Sequence, residues 1–519
     1  MSLEKDIDNG WIILCAFFVF IMQLGFALLE FGSVEAKNAL SILLKNVVDV
    51  SISGFMWFAW GYSLSRNTGN SFVGTFSHSF TDSWDEFPDM FFGLTFAAAS
   101  STIASGAVSG RMRLQSYIFI PFLLSLLVYP ILSHWVWASN GWLYKWGFID
   151  FAGSGVVHLC GGVAGITASA IIGPRKRFLE EGVTSIKGHS LTHSLMGTLL
   201  LWIGWFGFNA GSTKGITGGK SVVAGICSMN TALAPAASLI SYLCFDRLRY
   251  WRMCFYLRNR NMNISAVDIE LSRSHTDATN ETSGRRYPKY KIDFEGLMNS
   301  ILGGLVAVTA GCATMRGWGA IITGIFAGPI MGLSSMLIKI GLRIDDPVDA
   351  FAVHGACGML GLIMAAILCD QEMIDLAYGT DYVKYDFSDQ LGKQIAGGLA
   401  IAALPAVIIS IPLWLFMLPP CRNRANHPFL VRVTPSLEEV GTDDRMDGWA
   451  YFYLNNLKEQ KNMQRSLGKR LNVLENRGRK GSQHMTSGSL KRRSQEESKN
   501  GSRSEHKSRS ENVNARVNT

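Results

Sequence analysis

Long apolar runs alternate with short polar loops along the first 420 residues of this 519-residue chain. Several of these runs reach the roughly 20 residues that a helix needs to cross a hydrocarbon core of ~30 Å. Only helices and closed barrels satisfy their backbone groups in lipid. The pattern therefore predicts an all-α polytopic membrane protein.

The spacing of the apolar runs predicts eleven transmembrane helices, so the two termini lie on opposite sides of the membrane. Arg and Lys are concentrated in the loops after spans three, five and seven, whereas the loops on the other side are acidic. The positive-inside rule then predicts an extracellular N-terminus and a cytoplasmic C-terminus. The predicted spans lie near 10–32, 42–65, 88–108, 114–138, 152–173, 192–212, 219–245, 293–312, 317–339, 350–369 and 392–418.

Two histidines lie inside these apolar helices in similar surroundings, Val-Val-His158-Leu-Cys-Gly-Gly in span five and Ala-Val-His354-Gly-Ala-Cys-Gly in span ten. Spans five and ten are an odd number of spans apart, so they cross the membrane in opposite directions. This predicts an inverted repeat of helices 1–5 and 6–10. Such a repeat would bring the two imidazoles together near the midplane. A membrane histidine often marks a substrate or ion pathway. The alternatives are packing residues or a metal site, although only Cys160 and Cys357 are evident as additional ligands.

Asp150 and several aromatic residues are candidates for a cation site at the outer ends of the spans. Asp150 precedes span five and could either stabilise a cation or cap the helix. An aromatic face beside a hydroxyl could hold a small cation, although core or interfacial packing is the usual role of such residues. The aromatic and hydroxyl candidates are Trp137, the i, i+4 pair Phe92 and Phe96, and the i, i+4 pair Phe208 and Ser212.

Three long motifs connect these candidates to a known family. They run from Asp150 to His158, from Ile203 to Ser212 and from Asp345 to Gly355. On these motifs the chain resembles the ammonium transporters of the Amt/MEP/Rh superfamily, over about residues 10–453. The resemblance implies a homotrimer of eleven-helix protomers, each with its own pore. Trp137 and the Asp-Phe-Ala-Gly motif make the chain similar to the Amt branch.

The resemblance also implies a role for each candidate residue. Gly93 and Gly110 depart from the family pattern, where Gln and Glu are common, which predicts a looser outer gate and a missing contact. The residues implied are His158 and His354 for the twin-histidine pore; Trp137, Phe92, Ser212 and Asp150 for substrate recruitment; and Phe96 and Phe208 for the gate.

These residues suggest how ammonium could be selected over K⁺, which has a similar size. A dry pore lined by Phe and His excludes both ions, because burying an unpaired charge is very unfavourable. Only ammonium can lose a proton and cross as a neutral molecule. The hypothesis is that NH4⁺ is recruited at the outer site, is deprotonated below the gate and passes the histidines as NH3, with or without separate proton transfer.

Two alternatives stay open: an ammonium sensor, or transceptor, that signals through its cytoplasmic tail, and an Rh-like neutral gas channel. We expect ammonium and methylammonium as substrates, contact with membrane lipid, and a plasma-membrane location. No cofactor, metal or nucleic acid is expected. The chain shows no nucleophile–base set or cofactor loop, so an enzyme is not expected either.

The composition predicts three regions. Residues 1–420 form the transporter domain, with a cytoplasmic loop at 246–292. Residues 421–471 resemble the family's cytoplasmic regulatory segment. Residues 472–519 are rich in Ser, Arg and Lys and should be disordered, because they cannot bury a core. Basic Ser motifs such as Lys491-Arg-Arg-Ser494 could be kinase sites or an anionic-lipid patch, or simply part of a solvated tail.

Overall fold

The computed structural model describes residues 2–179, 186–259, 290–417 and 431–445. Within these residues, ten helices are long and apolar enough to cross a membrane, and α8 is a shorter apolar helix of 16 residues. The predicted number and order of spans are thus confirmed. The helices are α1 Leu3–Ser33, α2 Ala36–Ser65, α3 Trp84–Ala107, α4 Leu114–Lys145, α5 Ser154–Ile172, α6 Leu191–Gly211, α7 Lys220–Tyr256, α8 Phe294–Thr309, α9 Gly317–Gly341, α10 Phe351–Leu368 and α11 Phe387–Met417.

Shorter elements connect these helices or lie at their ends. No strand occurs in the described part of the chain, where two isolated bridges join Met112 to Arg432 and Met315 to Cys369. The short helices outside the spans are Phe76–His78, Lys176–Leu179, Gln371–Tyr378, Pro435–Val440 and Thr442–Arg445.

Side-chain caps mark the starts of α1, α6 and α8. Helix α1 starts at Leu3, seven residues before the predicted apolar run, because the Ser2 hydroxyl accepts a hydrogen bond from the Lys5 N–H at 3.4 Å. Asp293 caps α8 in the same way through the Gly296 N–H. Helix α7 continues into the predicted loop 246–292, so part of that loop is helical. The rest of that loop, from 260 to 289, lies outside the described residues, as do 418–430 and 446–519.

Helices α3, α5 and α10 form the centre of the bundle. Within their apolar windows 83%, 72% and 72% of the residues are buried, compared with 22% for α11. The central helices therefore face protein on most sides, whereas α11 presents most of its surface outward. Candidate residues on α3, α5 and α10 lie in the interior for this reason.

Helices α5 and α10 cross in opposite directions and almost touch. A Cβ atom added at Gly162 would lie 2.4 Å from the backbone nitrogen of Gly355, and one at Gly358 would lie 2.6 Å from the carbonyl oxygen of Ser154. Residue numbers thus rise along α5 as they fall along α10, as the inverted repeat requires. Small residues permit this close approach between membrane helices.

Candidate functional site

The two histidines predicted to pair lie side by side at the crossing of α5 and α10. Their Nδ1 atoms are 3.2 Å apart, and the two rings are nearly parallel, at 20°. His158 is fully buried and His354 is 5% exposed. For this contact to be a hydrogen bond, one Nδ1 must carry a proton and the other must accept it.

Each histidine is held by a π-helical turn at the start of its helix, Ser154–Leu159 in α5 and Phe351–Ala356 in α10. Such turns are rare and are frequently found at functional sites. The first turn is anchored to α8, because the Ser154 hydroxyl donates to the carbonyl of Val306 at 2.7 Å and accepts from the Ala310 N–H at 2.6 Å. Both imidazoles thus lie within π-helical turns at the crossing point.

His158 also stacks on an aromatic wall that the sequence reasoning missed. The Trp205 ring lies 4.8 Å from the imidazole at 15°, and its indole N–H donates to the Thr309 hydroxyl at 2.8 Å. His158 Nε2 is buried and has no hydrogen-bond partner among the described residues. The spacing of Trp205, three residues before Phe208 on α6, is the signal that could have placed it on the same face.

The candidate gate consists of two stacked rings. Phe96 on α3 and Phe208 on α6 have centroids 3.9 Å apart and planes 16° apart, and both are buried. Phe208 lies 5.4 Å from the His158 ring. The stack therefore sits directly on the outer side of the histidine pair, where outer means the end of the bundle that carries Trp137.

The candidate recruitment residues lie beyond this stack. The Phe92 ring is 4.6 Å from that of Phe96, and Trp137 meets Phe96 edge-on at 6.1 Å. Ser212 donates to the carbonyl of Phe208 at 2.9 Å, which leaves its hydroxyl oxygen free to accept a hydrogen bond. The structure thus brings the aromatic residues and the histidines into one continuous column.

The Asp150 carboxylate, in contrast, points at backbone and lies outside this column. It accepts hydrogen bonds from the N–H groups of Gly153, Gly155 and Val156 at 2.9–3.0 Å, and it is fully buried. Its carbonyl oxygen accepts the indole N–H of Trp137 at 2.8 Å. Asp150 therefore organises the start of α5 and orients Trp137, and any action on a cation would be electrostatic.

The two glycines that depart from the family pattern have structural explanations. A Cβ atom at Gly93 would lie 2.5 Å from the ring of Trp57, which is buried and donates its indole N–H to the carbonyl of Met90. Trp57 thus occupies the space that a side chain at position 93 would need. Gly110 has φ +75°, a conformation that disfavours a glutamate there.

A small cavity lies on the inner side of His354. It is lined by Phe26, Glu30, Asn299, Val348 and His354, among others. The Glu30 carboxylate is buried and accepts hydrogen bonds from Ser105 and from the Asn46 amide, at 2.6 and 2.7 Å. Sequence reasoning missed this polar group, since a single glutamate near the end of α1 resembles a residue at the membrane surface.

Loops at the inner end are locked by a buried ion pair. Asp345 accepts two hydrogen bonds from the Arg175 guanidinium, at 2.7 and 2.8 Å, and its carbonyl accepts one from Arg111 at 2.6 Å. Burial alone would raise the pKa of the Asp345 carboxyl, but the Arg175 and Arg111 cations lower that pKa well below its ordinary value. The pair fixes the loop that leads into α10 and thus helps to place His354.

The segment 431–445 packs on the same inner loops. The Val433 N–H donates to the carbonyl of Arg111 at 2.9 Å, and Arg432 donates to the carbonyl of Pro174 at 2.8 Å. Asp443 accepts from the Ser41 N–H at 2.8 Å. The remainder of the predicted regulatory segment and tail, including Lys491-Arg-Arg-Ser494, lies outside the described residues.

The chemistry of this column suits a small polar solute better than a metal ion. Among the described residues, no group of three or more His, Cys, Asp or Glu side chains could hold a metal. The column instead offers aromatic faces at its outer end and an imidazole pair in an apolar interior. Such a path can attract a cation at its mouth but disfavours a charge farther in.

Comparison with known proteins gives a consistent result. The model of the Ammonium Transporter Family matches residues 10–258 and 281–447. Ammonium transporter 1 member 3 of Solanum lycopersicum is 33% identical over 467 residues, which cover 87% of this chain and 94% of that protein. Ammonium transporter 3 of Dictyostelium discoideum is 33% identical over 370 residues, covering 70% and 77%.

Solved structures with the same fold include a sensor Amt protein and Mep2 of Saccharomyces cerevisiae. The first has a TM-score of 0.71 and 28% identity, and the match covers 86% of this chain and 99% of the other. The second has a TM-score of 0.66 and 27% identity, with 82% and 87% covered.

Proposed function

This chain belongs to the ammonium transporter family, and from that premise we propose the route by which ammonium passes through it. NH4⁺ is recruited at Trp137, Phe92 and Ser212. Aromatic faces attract the cation, and the Ser212 hydroxyl oxygen accepts one of its N–H groups. The Asp150 carboxylate favours a positive charge in this region through space, while its backbone bonds keep α5 in place.

Deprotonation follows at the stack of Phe96 and Phe208. Both rings are buried and only 3.9 Å apart, so the substrate passes only when they separate. The interior behind them is apolar, and an unpaired cation there would lose its hydration without compensation. Ammonium can leave its proton behind and continue as NH3, whereas K⁺ cannot.

The histidine pair then conducts NH3. When one Nδ1 donates to the other, the donor ring keeps a lone pair at Nε2 and the acceptor ring keeps an N–H there. The pair thus presents an acceptor at one end and a donor at the other, both of which NH3 can bind. This polarity reverses when the donor ring takes up a proton at its free Nε2, the shared proton shifts to the other Nδ1, and the acceptor ring releases its Nε2 proton. That relay gives a proton a path separate from that of NH3.

We also propose the oligomeric state, the membrane location and the orientation of the protein. It works as a homotrimer in the plasma membrane, with the outer end of the column facing the extracellular side and the C-terminus in the cytoplasm. The charge asymmetry of the loops and the family membership support this arrangement. Methylammonium is a further substrate, and membrane lipid surrounds the trimer.

The observation that carries the proposal is the Nδ1–Nδ1 contact of 3.2 Å between two buried histidines directly behind a stacked aromatic gate. Alone, each histidine could be a packing residue. Together with the unpartnered Nε2 of His158, they form a polar path through an otherwise apolar interior.

The test measures uptake of labelled methylammonium together with membrane current in cells that lack their own transporters. The double variant His158→Ala/His354→Ala should lose saturable uptake or lose its selectivity against K⁺. The matched control His78→Ala/His193→Ala removes two histidines outside the column and should retain both.

Three other outcomes would contradict the role of the histidines or favour an alternative function. Uptake and selectivity that survive in the double variant at equal surface expression would contradict the role of the histidines. A wild-type protein that reaches the surface but transports nothing would favour the sensor alternative. Passage of NH3 without methylammonium uptake would favour the neutral gas channel.

A further inference from the structure

The protein places an ammonium group of its own on the candidate recruitment surface. Lys214 Nζ lies 4.3 Å from the centroid of the Phe92 ring and 2.6 Å from Asp89 Oδ1. Phe92 is only 2% exposed, whereas the Lys214 side chain is 45% exposed. Lys214 thus lies over the outer face of a ring to which substrate binding is proposed.

An unusual backbone turn holds Lys214 in this position. Its φ is +52°, a left-handed conformation that a residue with a side chain rarely adopts. The turn follows the end of α6, where the Lys214 N–H donates to the carbonyl of Gly211 at 3.0 Å. The Lys214 carbonyl in turn accepts from Lys220 Nζ at 3.2 Å. The conformation is therefore stabilised from both sides.

The contacts of the Lys214 head group are those that an ammonium ion would seek. A cation binds an aromatic face through the ring quadrupole, and a primary ammonium and NH4⁺ carry the same charge and N–H donors. The two cations cannot occupy the same face of Phe92 together. We propose that Lys214 is an affinity-determining residue, a tethered competitor that an ammonium ion must displace from Phe92 before it is recruited. This inference rests on the proposed function, because it requires Phe92 to bind substrate.

The neighbouring charges lower the free energy needed to displace Lys214 from Phe92. Asp89 can keep the Lys214 head group as it swings away from the ring, and the Asp89 carboxylate also lies 3.6 Å from Arg66 Nη1. The displaced Lys214 then loses only its cation–π contact with Phe92. Such a contact at an exposed site corresponds to a factor of about two to five in binding. Lys214→Met should therefore lower the KM for methylammonium about two- to fivefold.

A matched control is available at the start of α1. Lys5 Nζ lies 3.7 Å from Asp85, and its side chain is 47% exposed, so it resembles Lys214 in charge and accessibility. No described contact joins the Lys5 head group to an aromatic ring. Lys5→Met removes the same surface charge and should leave the KM unchanged. Lys214→Arg retains a cation that can stack on Phe92 and should leave the KM unchanged or raise it.

The experiment measures the KM and maximal rate of methylammonium uptake, normalised to surface expression, for these variants in the wild-type and Phe92→Leu backgrounds. The expected result is a lower KM for Lys214→Met alone, with no further effect of this change when Phe92 is replaced. Lys214→Gln provides the same comparison should the methionine variant be poorly expressed.

Three results would overturn the inference: an unchanged or raised KM in Lys214→Met, an equal fall in Lys5→Met, or a fall that persists in Phe92→Leu. Each would leave the proposed function standing, since the wild type would still transport. Absence of saturable uptake by the wild type would instead refute the proposed function, and the inference with it.

Discussion

Replacing Asp150 by asparagine removes the negative charge from the start of α5 while keeping the shape of the side chain. The amide oxygen can still accept from Gly155 and Val156, but the NH2 group then faces the N–H of Gly153. The loss of one charge-assisted hydrogen bond costs about 1.5–3 kcal/mol, and the buried N–H left without a partner costs about 1–3 kcal/mol. We therefore expect Asp150→Asn to lower the free energy of unfolding by about 2.5–6 kcal/mol.

The assay is denaturant unfolding in detergent, followed by circular dichroism, with methylammonium uptake measured in parallel. Asp370→Asn is the control, because Asp370 caps a helix, accepts from Met373 at 3.4 Å and is one-third exposed. Its replacement should cost less than about 1 kcal/mol, since asparagine caps as well as aspartate and exposed ion pairs contribute little.

The two measurements separate the possible roles of Asp150. An Asp150→Asn protein with stability within about 1 kcal/mol of the wild type would refute the argument that its carboxylate holds the π-helical turn. Normal stability with lost uptake would assign Asp150 to the cation alone. Lost stability with uptake retained in the surviving protein would make its role purely structural.

Two further predictions concern the crossing of α5 and α10 and the inner loops. Gly162→Ala should destabilise the protein and abolish uptake, because its Cβ would meet the Gly355 backbone at 2.4 Å. The control Gly392→Ala places its Cβ in open space and should change neither stability nor uptake. Asp345→Asn should cost about 3–5 kcal/mol at pH 7, because it leaves Arg175 buried without its partner. Since the pKa of Asp345 is lowered in the folded state, its contribution is complete above its unfolded pKa near 3.9 and declines as the pH falls below that value. The variant should therefore show a shallower loss of stability below about pH 4 in acid unfolding curves, and an unaltered slope would contradict this.

Two properties of the sequence predict most of the fold. One is hydropathy, and the other is whether an odd or an even number of spans separates two helices. Eleven apolar runs and the odd step between the spans of His158 and His354 were sufficient to predict an antiparallel crossing. The glycines that permit that crossing were visible in the same motifs. Their pairing across the two helices depends on register, which a single sequence does not contain.

The candidate site was less accessible to sequence reasoning. The roles of the aromatic residues came from a family resemblance, and the two histidines behind them lie in π-helical turns that have no clear sequence signal. Lys214 was overlooked because its position over Phe92 arises from a left-handed turn. The direction of the Asp150 carboxylate likewise depends on three backbone N–H groups that only the folded chain brings together.

The stack of Phe96 and Phe208 also has an electrical consequence. Two buried rings in van der Waals contact close the column to water at this point, so a charge that passes between them crosses part of the transmembrane voltage. Such a charge gains or loses about 2.3 kcal/mol for each 100 mV that it crosses, whereas a neutral molecule gains nothing. The voltage dependence of uptake thus reports whether a charge, either a separate proton or ammonium itself, crosses the stack together with the nitrogen, independently of how tightly ammonium binds at the mouth.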